Sequence, residues 1–465
     1  MKLKFKHLLF LCSLLMATQA FSQPAISSLP SAEEIAFVNV NVLPMSGKQV
    51  LMNQTVIVKN GKISQMGAAK SVKPSKNALI IKAKGKYLMP GLAEMHAHIP
   101  VAQNGDDSNV RETLFLYLAG GVTTIRGMLG HPYHLQLKEQ LAKNEVLGPR
   151  TYTSSPSLNG NSVKTPEEAR AKVTQYQKEG FDFLKIHPGI ELPVFEALVQ
   201  TAREVGITFS GHVPIAVGVR RAIDFGYASI DHIDGYVEGL VPTAANVDPN
   251  AGGLFGIDFT HVADIKIIPD LVAKTKEKGI WVVPTQALLE RWTSPMTGDQ
   301  IMAEPEMAYM NPSVRYQWRG AKAQILGANY DPEKGKKFVD IRRQLLKQMH
   351  QAGVGLLLGS DAPQIFNVPG FSIRHEAKAM ADAGIPNYEI LKSGTVNPAK
   401  FFQQEGEFGV VKIGAAAELI LLDANPLENI SNIKSLQGVL IQGRWLPKKM
   451  IDEALAKIAK KYEKA

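Results

Sequence analysis

LMPGLAEMHAH, residues 88–98, is an apolar segment that ends in two histidines, His96 and His98. Strand side chains alternate between the two faces of a sheet, so two histidines separated by one residue point the same way. Such a pair can hold one metal ion between two imidazole rings. Because the pair follows an apolar strand, we interpret both residues as metal ligands rather than as buried core histidines.

Four further polar residues lie at the ends of later apolar runs: Lys185, His212, His232 and Asp361. In a parallel barrel, the carboxyl ends of all strands meet on one face, which is where active sites are found. The pattern therefore predicts that these four residues join the histidine pair in one site. The predicted metal ligands are His96, His98, Lys185, His212, His232 and Asp361.

Strands and helices alternate from residue 88 to about residue 402, which favours an α/β fold, a (β/α)8 TIM barrel. Eight apolar runs are predicted as its strands: residues 88–94, 122–128, 150–154, 183–186, 207–209, 228–230, 281–283 and 354–358. Short strands in residues 24–87 and 403–447 are expected to pair in a small β-sandwich built from both chain ends. An amphipathic helix is predicted for residues 448–465.

Two connections that follow predicted strands are long, from Asp234 to about Ala263 and from Leu288 to about Phe338. Both leave the carboxyl end of a strand, so both should overhang the site as lids or specificity elements. Neither contains a motif that selects a particular substrate side chain.

Residues 1–22 are predicted to be a secretory signal peptide, with a lysine-rich start before the apolar run from Leu8 to Ala17. A secreted or periplasmic location follows, with no stable membrane span after this segment is removed. The single cysteine, Cys12, lies within it, so the mature chain would have no disulfide. The net charge of +9 comes without a basic stripe interleaved with aromatic residues, which argues against nucleic-acid binding.

Lys185 is the most discriminating of the six predicted ligands. An ammonium group beside two cations would be repelled, whereas a neutral lysine amine can react with CO2 to give a carbamate that bridges two metal ions. Asp361 could bind a metal through one oxygen and accept a proton from water through the other. The alternatives are an exposed strand-end lysine and a helix N-cap aspartate. Two divalent ions would lower the pKa of a shared water, and histidine ligands favour zinc, with manganese, cobalt and iron also suitable.

Several motifs resemble the amidohydrolase superfamily over nearly the whole chain after residue 22. They are residues 89–92 before the histidine pair, 121–126, 183–185, 211–214, 230–232, 359–361, 395–399 and 418–427. The lysine of the fourth strand is similar to the binuclear, carboxylated-lysine branch, which includes prolidase-like Xaa-Pro dipeptidases; such chains are often described as imidazolonepropionase-like. Imidazolonepropionases use one metal and lack this lysine, so Lys185 argues against that activity.

The resemblance implies a role for each predicted ligand. His96 and His98 would bind the first of two divalent ions. His212 and His232 would bind the second, with N6-carboxylated Lys185 as the bridge. Asp361 would be both a ligand and the general acid/base.

We therefore expect an exported enzyme that hydrolyses amide bonds of dipeptides, Xaa-Pro among them, or of N-acyl amino acids, by attack of a metal-bridging hydroxide. Arg126 could bind the substrate carboxylate or form a structural ion pair. Tyr236 could bond the substrate carbonyl oxygen or pack in a lid. An esterase, a lactonase or another cyclic-amide hydrolase, and a non-catalytic metal-binding scaffold, are the alternatives. The expected partner is a small-molecule substrate, and homo-oligomer formation is left open.

Overall fold

The computed structural model describes residue 24 and residues 26–463; the predicted signal peptide, residues 1–22, lies outside this part. The strands in chain order are β1 (Glu34–Val42), β2 (Leu51–Lys59), β3 (Lys62–Ala68), β4 (Leu79–Lys82), β5 (Tyr87–Pro90), β6 (Leu92–Ala97), β7 (Val122–Gly127), β8 (Arg150–Thr153), β9 (Leu184–Ile186), β10 (Phe209–Gly211), β11 (Ser229–Asp231), β12 (Trp281–Val283), β13 (Gly355–Leu356), β14 (Leu419–Leu422), β15 (Leu436–Ile441) and β16 (Arg444–Pro447).

The α-helices are α1 (Ser108–Ala119), α2 (Pro132–Ala142), α3 (Pro166–Glu179), α4 (Leu192–Val205), α5 (Val219–Phe225), α6 (Ile268–Glu277), α7 (Gln286–Thr293), α8 (Gly298–Met302), α9 (Pro312–Ile325), α10 (Pro332–Ala352), α11 (Ser372–Asp382), α12 (Asn387–Ser393), α13 (Val396–Phe401) and α14 (Lys448–Glu463). Across the described residues, none of these helices is both long and apolar enough to cross a lipid bilayer. The helix predicted at the C-terminal end corresponds to α14.

Strands from both ends of the chain form one eight-stranded sheet, in the order β16-β15-β14-β5-β1-β2-β3, with β4 also paired to β1. The two ends meet where β14 runs antiparallel to β5, with Leu421 opposite Leu88. In the core of this sheet the Phe37 ring packs edge-on against Trp445, with 5.4 Å between ring centroids. Both chain ends thus contribute to one β unit, as predicted, but its strands are paired continuously rather than in two separate sheets.

Two parallel sheets occupy the middle of the chain, β6-β7-β8 and β9-β10-β11-β12-β13. Each of the predicted apolar runs from residue 88 to residue 358 overlaps one of these strands, which confirms the α/β class. Isolated parallel bridges link the two sheets at both edges, from Ser154 to Phe183 and from Ala97 to Ala362. Because all eight strands are parallel, their carboxyl ends lie on the same side of the molecule.

Gly91 divides the first apolar segment into β5 and β6. An ideal Cβ at this position would lie 2.1 Å from Thr123 Oγ1, so any larger residue would have to displace the Thr123 side chain of the neighbouring strand. The Gly91 amide donates to the Glu418 carbonyl, and the Leu92 amide donates to the Gly121 carbonyl, both at 2.9 Å. The chain therefore passes from the terminal sheet to the parallel sheet within one residue, and β6 carries the histidine pair to its carboxyl end.

The two long connections contain short helical segments. Residues 234–263 form 3-10 turns at Glu238–Leu240, Thr243–Ala245, Pro249–Gly252 and Leu254–Phe259. Residues 288–338 include most of α7 together with α8 and α9. Arg342 of α10 donates to the carbonyls of His232 (2.6 Å) and Pro284 (2.9 Å), which fixes α10 against the carboxyl ends of the strands.

Candidate metal centre

The structure brings the histidine pair of β6 to Asp361. His98 Nε2 lies 2.7 Å from Asp361 Oδ1, and His96 Nε2 lies 3.6 Å from the same oxygen. Each of these three residues has a potential metal-binding atom, and the three atoms lie within 4.8 Å of one another. The His232 ring lies against both His96 and His212, with centroid distances of 4.4 and 4.5 Å. Four histidines and one carboxylate therefore form a single cluster.

Lys185 of β9 lies beside this cluster and is fully buried. Its Nζ has no hydrogen-bond partner within residues 24 and 26–463. Burial lowers the pKa of Lys185 to about 8, against the opposing effect of nearby carboxylates. Gly211 on the adjacent strand has φ +127°, and an ideal Cβ there would lie 3.1 Å from Lys185 Cδ. Glycine at 211 thus leaves room for the lysine chain beside the histidines.

The histidines of β10 and β11 are oriented by hydrogen bonds at Nδ1. His212 Nδ1 lies 2.9 Å from Asp234 Oδ2, an oxygen that also accepts the Val213 amide. His232 Nδ1 lies 2.9 Å from Thr285 Oγ1. With Nδ1 engaged, each ring is left with Nε2 for a metal, the arrangement that outer hydrogen-bond partners impose in metal sites.

Burial keeps these imidazoles neutral. Desolvation lowers the pKa of His212 to about 3, and it lowers the pKa values of His96 and His232 well below the usual range. A neutral imidazole is the form that binds a metal ion. The four histidines, the unpartnered Lys185 amine and the Asp361 carboxylate together are a donor set that fits divalent cations.

Arg126 lies in the interior beneath the cluster, with no exposed surface. Its Nη2 donates to both carboxylate oxygens of Asp231 at 3.0 Å, and Nε donates to the Met95 carbonyl at 2.7 Å. Asp231 Oδ2 lies 2.9 Å from His96 Nδ1. Arg126 therefore forms a structural ion pair with Asp231, as one of its two predicted roles requires. Through Asp231 it is also connected to the predicted ligand His96.

Replacing Arg126 with alanine is expected to lower the free energy of unfolding by about 3–5 kcal/mol, because Asp231 would remain buried without its partner. Urea unfolding of the variant measures this change. Arg319→Ala, which removes an exposed ion pair with Asp299, is the matched control and should cost about 1 kcal/mol or less. Unchanged stability together with a raised KM would instead identify Arg126 as a substrate anchor.

Tyr236 is also fully buried. Its hydroxyl is 2.9 Å from Thr275 Oγ1 on α6, and the Thr275 hydroxyl itself donates to the Leu271 carbonyl. Tyr236 is therefore the donor in this bond, and its contact is with a helix. These contacts agree with the prediction that Tyr236 packs within the protein, and not with a hydrogen bond from Tyr236 to a substrate oxygen.

Three carboxylates near the predicted ligands were not singled out from the sequence: Glu94, Asp231 and Asp234. Glu94 accepts the amides of His96 (3.1 Å) and Ser360 (2.7 Å), so it ties β6 to the turn that carries Asp361. Burial raises the pKa of Glu94 to about 8. Each of the three acids lies within two residues of a predicted histidine ligand, and this proximity was the available signal.

A second group of acids and histidine lies apart from this cluster, at Glu304, Glu306 and His375. Arg291 Nη2 lies 2.5 Å from Glu304 Oε2 and 3.1 Å from His375 Nε2. The guanidinium supplies the positive charge that a cation would otherwise bring. These residues therefore have the contacts of a structural charge network.

Residues 87–446, most of the chain, match the Amidohydrolase family. The chain therefore belongs to this family, and it is a hydrolase that acts on C–N bonds. Members are typically metal-dependent, in agreement with the ligand cluster found here.

Individual relatives are distant. An enamidase from Eubacterium barkeri is 32% identical over 76 residues, which are 16% of this chain and only 20% of the enamidase. A putative prolidase from Bifidobacterium longum is 22% identical, with a TM-score of 0.66 over 92% of this chain and 100% of the prolidase. A bottromycin amidohydrolase is 21% identical, with a TM-score of 0.70 over 93% of this chain and 91% of its own. At these identities the solved structures establish a shared fold.

Proposed function

We propose that this protein is an exported, binuclear metal-dependent amidohydrolase that cleaves amide bonds of dipeptides or N-acyl amino acids. The observation that carries the proposal is the buried Nζ of Lys185, which has no partner in the described residues although it lies close to His96, His212, His232 and Asp361. An amine in that position gains a function if it is carboxylated, because the carbamate would supply the bridging anion that two cations need.

The two cations would be zinc ions. His96 and His98 would hold the first, and His212 and His232 would hold the second, with N6-carboxylated Lys185 between them. When bound, such ions lower the pKa of a water and polarise a substrate carbonyl. The neutral state of the buried histidines supports this assignment.

Asp361 is the residue that would move the proton. Its Oδ1 lies 2.7 Å from His98 Nε2, whereas its Oδ2 lies 3.8 Å from His232 Nδ1. Oδ2 would accept a proton from water while the water oxygen adds to the amide carbon of the substrate. The same proton would pass to the leaving nitrogen as the C–N bond breaks, which avoids expulsion of an amide anion.

Arg126 and Tyr236 take supporting roles in this proposal. Arg126 would position Asp231, which faces His96 Nδ1, and the carboxylate of the substrate would be bound elsewhere. Tyr236 would fix the connection after β11 to α6 through Thr275. Neither would touch the substrate.

The eight parallel strands would form one closed (β/α)8 barrel over residues 88–402. The bridges between β8 and β9 and from β6 to Ala362 support closure at both sheet edges. Residues 24–87 and 403–447 would form the second domain, residues 448–465 a terminal helix, and residues 1–22 the export signal to a secreted or periplasmic location.

Metal uptake is expected to depend on pH because the Lys185 amine must be neutral to react with CO2. The pKa of about 8 means that the neutral fraction rises as the pH increases through that value. At constant dissolved CO2, stripped protein should recover two zinc ions per chain on the order of tenfold faster at about pH 8.5 than at about pH 6.5. Timed metal analysis measures the rate, and a pH-independent rate would contradict carboxylation.

The first test of the proposed function uses zinc-loaded mature protein and a pooled library of dipeptides, including Xaa-Pro, and N-acyl amino acids. Mass spectrometry should detect cleavage of a coherent subset. Protein that holds two metals but cleaves none of these compounds, while it hydrolyses esters or lactones, would replace the amide assignment.

A further inference from the structure

A cavity of about 780 Å³ adjoins the candidate metal centre. His212 and Asp234 lie in its wall, so the cavity is continuous with the predicted ligands. Its other walls come mainly from residues 213–218 after β10, from the start of α5 and from the connection after β11. A volume of this size is typical of pockets that enclose a small organic ligand.

The cavity walls are largely apolar, with Val213, Val219, Val241, Phe255 and Phe259 among the lining residues. Ile215 and Leu254, which also line it, are 53% and 49% exposed. Large apolar side chains at both the wall and the mouth favour an apolar ligand segment, since its burial there removes hydrocarbon surface from water.

Glu238 introduces a carboxylate into this apolar wall. Its Oε2 is buried and has no hydrogen-bond partner among residues 24 and 26–463. Gly256 lies against one side of this carboxylate: φ is +78°, and an ideal Cβ there would lie 2.8 Å from Glu238 Oε2. A buried carboxylate oxygen without a donor is costly, so a ligand that brings a donor is favoured.

The arginines at the cavity rim do not donate a hydrogen bond to Glu238. Arg220 and Arg221 line it but are exposed at its rim, where Arg220 pairs with Asp270 and Arg221 donates to the Val217 carbonyl. Within the wall the ionisable side chains beside the metal ligands are the carboxylates Asp234 and Glu238.

Burial raises the pKa of Glu238 to about 7, and the charge of the buried Arg342 opposes this rise. The hydrogen bonds of Arg342 go to two carbonyls, of His232 and Pro284, and to Gln286 Oε1. Arg342 therefore stabilises the negative charge of Glu238 electrostatically without donating a hydrogen bond to it.

We propose that this cavity binds an apolar arm of the substrate that ends in a protonated amine, with Glu238 accepting its hydrogen bonds. An ammonium group supplies several donors and a positive charge, and charge-assisted bonds of this kind are the strong ones. The inference deepens the proposed function, on which it rests for the identity of the scissile amide. The amine specificity can be measured apart from hydrolysis.

Calorimetry with zinc-loaded protein tests the amine specificity through two probes of equal length, hexylamine and hexan-1-ol. Wild-type protein should bind hexylamine about 10- to 100-fold more tightly. Glu238→Gln should abolish most of that preference and leave hexan-1-ol binding unchanged. Glu196→Gln, an exposed glutamate of α4, is the matched control and should behave as wild type. Equal affinity of the wild type for both probes, or an unchanged preference in Glu238→Gln, would overturn the inference.

Leu254→Lys provides a second variant whose folding is not at risk, because the position is exposed at the mouth. The added cation should weaken hexylamine binding several-fold more than hexan-1-ol binding, and equal effects on both would count against the inference. Dipeptides with lysine or norleucine separate the two proposals. Hydrolysis of neither, with selective hexylamine binding intact, would remove dipeptide cleavage from the proposed function and keep the cavity assignment. Hydrolysis of both dipeptides without selective hexylamine binding would support the proposed function and remove the cavity assignment.

Discussion

Replacing Lys185 with alanine is expected to reduce kcat/KM on amide substrates by roughly a thousandfold or more. A decrease of this size corresponds to a loss of several kcal/mol of transition-state stabilisation by the metal ions. Bound zinc should fall from two ions per chain toward one. The physical reason is that the buried amine is the residue able to become the bridging anion, and alanine leaves the second cation with two neutral imidazoles. Kinetics and metal analysis on the same preparation measure both effects.

The matched control for this prediction is Lys178→Ala, an exposed lysine near the end of α3, which should retain activity and metal. Incubation with 13C-labelled bicarbonate adds a readout independent of activity, because wild-type protein should show one carbamate carbon signal that is missing in Lys185→Ala. A variant that keeps full activity and two metals would remove the binuclear assignment.

Replacing Asp361 with asparagine is expected to lower kcat by about 10²–10⁴-fold, the range for loss of a general acid/base, with a small change in KM. Asparagine keeps the size of the side chain and one oxygen for contact with His98, but it cannot carry the proton to the leaving nitrogen. Steady-state kinetics on the best substrate of the library provides the measurement.

Asp340→Asn on the exposed face of α10 is the control for the charge change and should leave kcat unaltered. The effect of Asp361→Asn should also shrink for substrates with leaving groups that need no proton. A variant that loses its metal as well as its activity would identify Asp361 as a ligand without isolating its proton-transfer role, and a fully active variant would contradict both roles.

Much of the architecture could be predicted from local pattern. The apolar runs that became β7, β8 and β12 carry their strand signal within a few residues, because alternation and β-propensity act over that distance. The junction at Gly91 was not predicted: the apolar pattern of residues 88–94 indicates one strand, and the close approach of Thr123 from another strand leaves no local signal in it.

The roles of Arg126 and Tyr236 could not be decided from sequence. Arg126 meets Asp231, 105 residues later, and Tyr236 meets Thr275, 39 residues later. Arg126 lies within a predicted strand and Tyr236 follows one, and both positions were compatible with a place at the site or behind it. Which side chain faces a substrate depends on long-range packing, and no local periodicity records it.

The sequence by itself determined the α/β class, the order of the strands and the set of six candidate ligands, since each of these follows from residue type and spacing along one chain. Only the tertiary structure decided which groups surround those ligands. Glu94 reaches Ser360 across 266 residues, and Gly256, in a left-handed conformation, lies against Glu238, 18 residues earlier in the chain. Such contacts form between segments distant in sequence, and their geometry is fixed by the packing of the whole molecule.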